Sequence, residues 1–154
     1  MSGAMFMQVE RAPYSISTDP ARLDLAMITG YLARSYWAEG IPLDVVERAV
    51  KGSLCFGVYE GAQQVGFARC VTDAATFAYL ADVFVLDSHR GQGLARWLME
   101  VIMSHPDLQG LRRFSLVTRD AHGLYEKFGF TPLVRPEGHM EIVRRGIYLE
   151  KQRS

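Results

Sequence analysis

The stretch Val83-Phe84-Val85-Leu86-Asp87-Ser88-His89-Arg90-Gly91-Gln92-Gly93-Leu94-Ala95 constrains this chain more than any other part of it. An apolar strand runs into a loop with two glycines, and that loop opens a helix whose apolar residues Leu94, Leu98, Val101 and Ile102 lie along one face. The first turn of a helix carries unpaired N–H groups and a partial positive charge. Glycine at positions 91 and 93 lets the backbone approach an anion with no Cβ in the way, and Arg90 adds a fixed charge. Glycine also serves as plain punctuation between a strand and a helix, and the loop alone does not separate the two readings. Two nucleotide motifs are excluded. No Lys follows the glycines as a Walker loop requires, and Arg96 stands where a dinucleotide fingerprint needs its third glycine.

Around this stretch the chain reads as a mixed α/β domain spanning residues 1–154, with no repeat, low-complexity tract or linker to divide it. Residues 14–17 alternate as a first strand. Asp19-Pro20 has the form of a helix start, and the helix runs to about Ser35. Residues 36–42 form an aromatic loop, and 43–51 a second helix. Three antiparallel strands follow at 53–59, 64–71 and 76–86. Within the last, Phe84 and Val85 break the alternation, which marks either a bulge or a strand buried on both faces. After the glycine loop and its helix come a strand at 113–118, a helix at 121–128 capped by Asp120 and ended by Gly129, and strands at 130–134 and 140–143.

The 17 basic and 17 acidic side chains cancel, and no Lys/Arg run is present, so the chain has no footprint for nucleic acid. No apolar run reaches the ~18–20 residues that span a bilayer. Met1 to Met7 lacks the basic start of a secretion signal. Cys55 and Cys70 are too far apart for a redox or zinc motif, and read as small buried apolar side chains, reduced in a cytoplasm.

Arg90-Gly91-Gln92-Gly93-Leu94-Ala95 resembles the Arg/Gln-x-x-Gly-x-Gly/Ala pyrophosphate signature of the GCN5-related N-acetyltransferase (GNAT) superfamily. Ala121-His122-Gly123-Leu124-Tyr125-Glu126-Lys127-Phe128-Gly129-Phe130 is similar to that family's Ala-x-x-Leu-Tyr-x-x-x-Gly-Phe block, and the element order agrees from about Tyr14 to Val143. The resemblance implies a mostly antiparallel central sheet flanked by helices, with a splayed strand pair holding acetyl-CoA as co-substrate and no metal. It places pantetheine along the main chain of Phe84 and Val85, and pyrophosphate on Arg90, Gly91, Gln92, Gly93, Leu94 and Ala95. It implies direct acyl transfer to an amine, on a small molecule or a protein, with a backbone N–H near Phe84 facing the developing oxyanion. Possession of the fold is also compatible with a non-catalytic acyl-CoA-binding or protein-interaction module. Family members are often homodimers, for which the terminal strands offer an edge.

For single residues the resemblance implies that Tyr125 lies near the CoA sulfur, where a phenol protonates the leaving thiolate. Tyr79 stands where some members carry a glutamate base. Asp82, an acid on an otherwise apolar strand, is the candidate base; a solvent-facing or Arg-paired Asp is the alternative, and His122 a second candidate. Water relays serve the same purpose in many members. Tyr36, Trp37 and Glu39 fall in the region that lines the acceptor side, as an aromatic wall with a carboxylate suited to an ammonium group. His139-Met140-Glu141 borders either that pocket or a dimer contact.

Overall fold

The structure is a computed structural model that describes residues 5–149, so Met1 to Ala4, the start of the segment read above for a secretion signal, lie outside the described residues. The first strand found is one the alternation did not reveal. β1 (Gln8–Arg11) pairs antiparallel with β2 (Tyr14–Ser17) across Ala12-Pro13. β1 is largely polar and exposed, because it is an edge strand with little to bury.

The single helix expected from Asp19 to Ser35 is two pieces. Asp19 caps as expected, accepting from the Ala21 N–H at 2.9 Å, but Pro20 opens only a 3-10 turn. The N–H of Asp24 is drawn out of the helical ladder by the buried Gln64 side chain at 2.8 Å. Asp24 then caps α1 (Leu25–Ala33), its carboxylate accepting from the Met27 N–H at 3.0 Å. The loop at residues 36–42 and α2 (Leu43–Lys51) stand where the sequence puts them.

β3 (Leu54–Glu60), β4 (Gln63–Thr72) and β5 (Phe77–Val85) form the expected antiparallel meander. α3 (Leu94–Ser104) crosses to β6 (Arg113–Leu116), which lies parallel to β5. The sheet order is β1-β2-β3-β4-β5-β6, so the fold is the mostly antiparallel, helix-flanked sheet that was predicted. One face packs Phe56, Val58, Ala68 and Leu80 against Leu98, Met99 and Ile102 of α3. The other packs Phe67 and Phe84 against Ile28, Leu32 and Val46 of α1 and α2.

The irregularity read at Phe84-Val85 is both things the sequence allowed. The β4–β5 register shifts between Phe67 and Arg69, with Asp82 at φ 57°, so β5 carries a bulge. The extra residue changes the parity of the strand. Ala78 and Leu80 face α3, whereas Phe84 faces α1 and α2 and its neighbour Val85 returns to the α3 side.

Three expectations fail toward the C-terminus. Asp120 does not cap the next helix. α4 is only His122–Glu126, and the Ala121 N–H before it donates to Thr118 Oγ1 at 3.0 Å. Residues 130–134 and 140–143 are not strands. Pro132 removes a donor from the first run, and Pro136–Gly138 just beyond it is a 3-10 turn. The second run alternates but lies against no strand among the described residues, with Met140 97% and Ile142 82% exposed.

Cys55 and Cys70 are free and buried, and burial pushes both thiols up to about 12. His105 ends α3 with its Nδ1 accepting from the Asp107 N–H at 3.0 Å and its ring edge-on to Phe56. Burial lowers its pKa below the ordinary 6.5, the nearby Asp107 opposing this. The unfolded chain therefore takes up a proton at a pH where the folded one does not, and stability falls as pH drops below about 6.5. His105→Asn keeps an acceptor and removes the titration. Thermal melts from pH 7.5 to 5.5 should show a smaller loss of Tm for this variant than for the parent; parallel curves would refute the assignment.

Candidate active site

β5 and β6 pair from Phe77↔Arg113 to Leu80↔Leu116 and then part, while β5 continues to Val85. On that side the main chain of residues 81–85 faces no strand among the described residues. A cleft of about 1270 Å³ fills the gap. Its walls are the β5 segment, the loop after α1, the loop between β6 and α4, and α4 itself. Phe84 turns its ring away, 4% exposed and stacked on Tyr31 at 3.9 Å, so it offers this cleft main chain before side chain. Val85 is likewise buried.

The bulge aims Asp82 into the cleft wall. Its Oδ2 accepts from Arg69 Nε at 2.9 Å and its Oδ1 from Trp37 Nε1 at 2.9 Å. Arg69 also donates to Ser53 Oγ at 3.1 Å. The side chains of Asp82 and Arg69 are only 12% and 19% exposed, so this is a largely desolvated pair whose charges answer one another. Of the readings open for Asp82, the geometry matches the Arg-paired one. A positive φ is tolerated better by Asp than by most residues, and here the side chain is fixed at both oxygens.

Beyond β5 a 3-10 turn (Asp87–His89) leads to the glycine loop. Gly91 and Gly93 have φ of 81° and 75°, and Gly93 is the N-cap of α3. A Cβ on either would meet nothing within 4 Å, so the loop borders open space. The backbone N–H groups of residues 91–96 have no acceptor among the described residues. Arg90 pairs with Asp87 at 3.0 Å and donates to Tyr31 Oη at 3.1 Å. A small cavity of about 130 Å³ lies against Arg90, Gly91, Gly93, Leu94 and Ala95. Gln92 turns away from that cavity: its Oε1 accepts from Tyr14 Oη at 2.7 Å and ties the loop to β2. His89 holds the turn from the other side, with Nε2 at 2.9 Å from Glu60.

Tyr125 on α4 lines the cleft at 8% exposure, packed edge-on to Phe130 at 6.0 Å. Burial raises its pKa, and the neighbouring Tyr36 and Asp120 add to the effect, so the phenol keeps its proton at neutral pH. Tyr79 also lines the cleft, with its pKa raised by burial and by Asp82. Tyr36 and Trp37 stand edge-on to each other at 5.1 Å in the wall. Glu39 and His122 are exposed and are not part of the lining, and neither is His139-Met140-Glu141. Sequence reasoning missed Arg69, Tyr31, Arg119 and Tyr148. Arg69 was hidden by its place in an ordinary strand, and Arg119, whose guanidinium lies 3.7 Å from the Tyr36 ring centre, by its place in a loop.

Residues 51–132 match the family model for the acetyltransferase (GNAT) domain. A protein of Gibberella zeae, provisionally named as an acetyltransferase, is 36% identical over 140 residues, covering 76% of this chain and 78% of its own. A crystal structure from Xanthomonas campestris pv. campestris, provisionally assigned as a GNAT-family acetyltransferase, is 53% identical with a TM-score of 0.86, covering 88% of this chain and 96% of that one. An acetyltransferase structure from Clostridium acetobutylicum with acetyl-CoA, 16% identical, has the same fold at a TM-score of 0.61, over 84% of this chain and 94% of that one.

Asp82→Asn leaves the Arg69 guanidinium without its counter-charge in a mostly buried position. Breaking such a pair should lower unfolding free energy by about 2–4 kcal/mol, toward the lower part of the range for partly exposed partners. Urea denaturation measures this, and an unchanged midpoint would show that the pair contributes nothing.

Proposed function

The chain belongs to the GNAT acetyltransferase family, and on that premise we propose that it moves the acetyl group of acetyl-CoA directly to a primary amine in a ternary complex, as a cytoplasmic enzyme built on one domain of residues 1–154. The observation that carries this reading is the open edge of β5 at residues 81–85 leading into the acceptor-free amides of residues 91–96. A ribbon of main-chain hydrogen-bonding groups suits pantetheine, and the helix start suits a pyrophosphate.

In this reading acetyl-CoA, when bound, supplies an acetyl group activated as a thioester. The main chain of Phe84 and Val85 holds the pantetheine arm, and the amides of residues 91–96 with Arg90 hold the pyrophosphate. The Gln92 side chain, besides the residue's backbone N–H, contributes by fixing the loop to Tyr14. Tyr125 Oη delivers a proton to the departing sulfur, and its raised pKa keeps that proton in place until then. Trp37 offers an aromatic face to an ammonium-bearing acceptor, while Tyr36, one face of which carries the Arg119 guanidinium, lines the wall beside it. Asp82, with both oxygens engaged, positions Trp37, and the amine loses its proton through water. The buried thiols of Cys55 and Cys70, at about 12, are poor nucleophiles, which favours transfer without a cysteine-bound intermediate. Release of free CoA across a panel of primary amines tests the proposal, and retention of acetyl-CoA with no turnover on any amine would favour a binding module instead.

Gly93→Val puts a β-branched residue at φ 75°, a backbone cost of about 1–2 kcal/mol, beside the anion site. Acetyl-CoA Kd measured by calorimetry should rise at least about tenfold while circular dichroism stays native; an unchanged Kd would remove the loop from the site. Tyr125→Phe keeps the ring and removes the hydroxyl. kcat should drop by about 10–10³ with acetyl-CoA Kd nearly kept, because the lost interaction belongs to the transition state. Normal kcat would end the general-acid assignment.

A further inference from the structure

The C-terminal segment does something the sheet does not require of it. Residues 131–146 are exposed throughout, with Val134 at 92% and Met140 at 97%. A side-chain hydrogen bond steadies the segment midway, near where Glu141 faces Tyr79. Arg113 Nη1 donates to His139 Nε2 at 3.0 Å, while His139 Nδ1 donates to the Arg135 carbonyl at 3.0 Å, and both partners require the same neutral tautomer. Gly146, at φ 70°, then turns the chain inward, and the Leu149 N–H donates to the Gly146 carbonyl at 3.0 Å. This sets Tyr148 half-buried against the cluster that holds Ala38, Ile41 and Phe84, with its side chain in the cleft wall.

We infer that Tyr148 is a specificity-determining wall of the acceptor pocket, carried across the molecule by an otherwise unburied strap. The inference rests on the acetyltransferase reading above. Its position assigns it to the acceptor rather than to the nucleotide end. Ala38 and Ile41 sit in or beside the loop that carries Tyr36 and Trp37, and the small cavity at the glycine loop does not include Tyr148. A segment that leaves some sixteen residues exposed and then half-buries Ile147, Tyr148 and Leu149, with the Tyr148 ring packed on the cluster by the cleft, contributes little to the fold besides that end. The ring's bulk limits how far an acceptor extends from its amine, and His139, through its hydrogen bond to Arg113, holds the strap there as a positioning residue.

The test uses the full-length protein with two primary amines of matched ammonium pKa, a short alkylamine and an arylalkylamine. In Tyr148→Ala, the ratio of kcat/KM for the arylalkylamine to that for the alkylamine should rise at least about tenfold, mainly through KM, with acetyl-CoA Kd within twofold of the parent. Tyr148→Phe should keep the parent ratio. His139→Ala, which leaves Tyr148 in place but looser, should move the ratio in the same direction by less. An unchanged ratio in a folded Tyr148→Ala that still turns over would overturn the inference while leaving the acetyltransferase reading intact. A loss of acetyl-CoA affinity would overturn it too, by placing Tyr148 at the co-substrate. No turnover by the parent on any amine would overturn both.

Discussion

Beyond Leu80 the fifth strand runs on, through the bulge at Asp82, to Val85 after losing the sixth as a neighbour, and the cleft follows from that parting. A strand edge normally satisfies its polar groups on an adjacent strand; here the edge is left facing a cavity, between a buried aromatic layer and a helix start. The bulge at Asp82 is the local device. It changes the parity of β5, sends Phe84 to the α1–α2 core and Val85 to the α3 core, and so anchors both faces of the strand at the place where its edge is free. With β4 on its other edge, where Phe67 pairs Phe84 and Gly66 pairs Val85, the strand end is held on three sides and open on one.

Two ion pairs stand in the wall of the cleft, beside Arg34 and Arg119, which lie over tyrosine rings. Arg69 and Asp82 answer each other, as do Arg90 and Asp87, and the first pair is much the drier. The drier pair is rigid through its link to Trp37, whereas the Arg90 guanidinium is 62% exposed and so can exchange Asp87 for another anion at small cost. The two ends of the cleft thus differ in kind: a fixed aromatic end and an adaptable cationic end.

Much of this was legible in the amino-acid order. β2, α2, the meander and α3 are set by local alternation or by an amphipathic stripe, and the two blocks around Gly91 and Tyr125 carry the family resemblance in fixed register. What was hidden depended on contacts distant in sequence. The break before α1 turns on Gln64 reaching Asp24, forty positions away, and Gln92 serves Tyr14 seventy-eight positions away. The strands expected at 130–134 and 140–143 have the right pattern but no neighbour, since alternation specifies a face and says nothing about who lies beside it. Tyr148 was invisible for the same reason: a lone tyrosine after an exposed run has no period to betray it.

The sixth strand also bears on the order in which the molecule assembles. The first five strands are joined in antiparallel register and need only chain neighbours or the α1–α2 excursion to meet. β6 arrives after the whole α3 crossover and is held by four parallel pairs. Parallel pairs of high sequence separation form late and open early. The β6 wall, together with the loop and short helix that follow it, is therefore a part of the sheet expected to open locally, as short edge strands do. The cleft is in this sense the last seam to be sewn, with one lip in the antiparallel body of the sheet and the other on a short parallel strand at its edge.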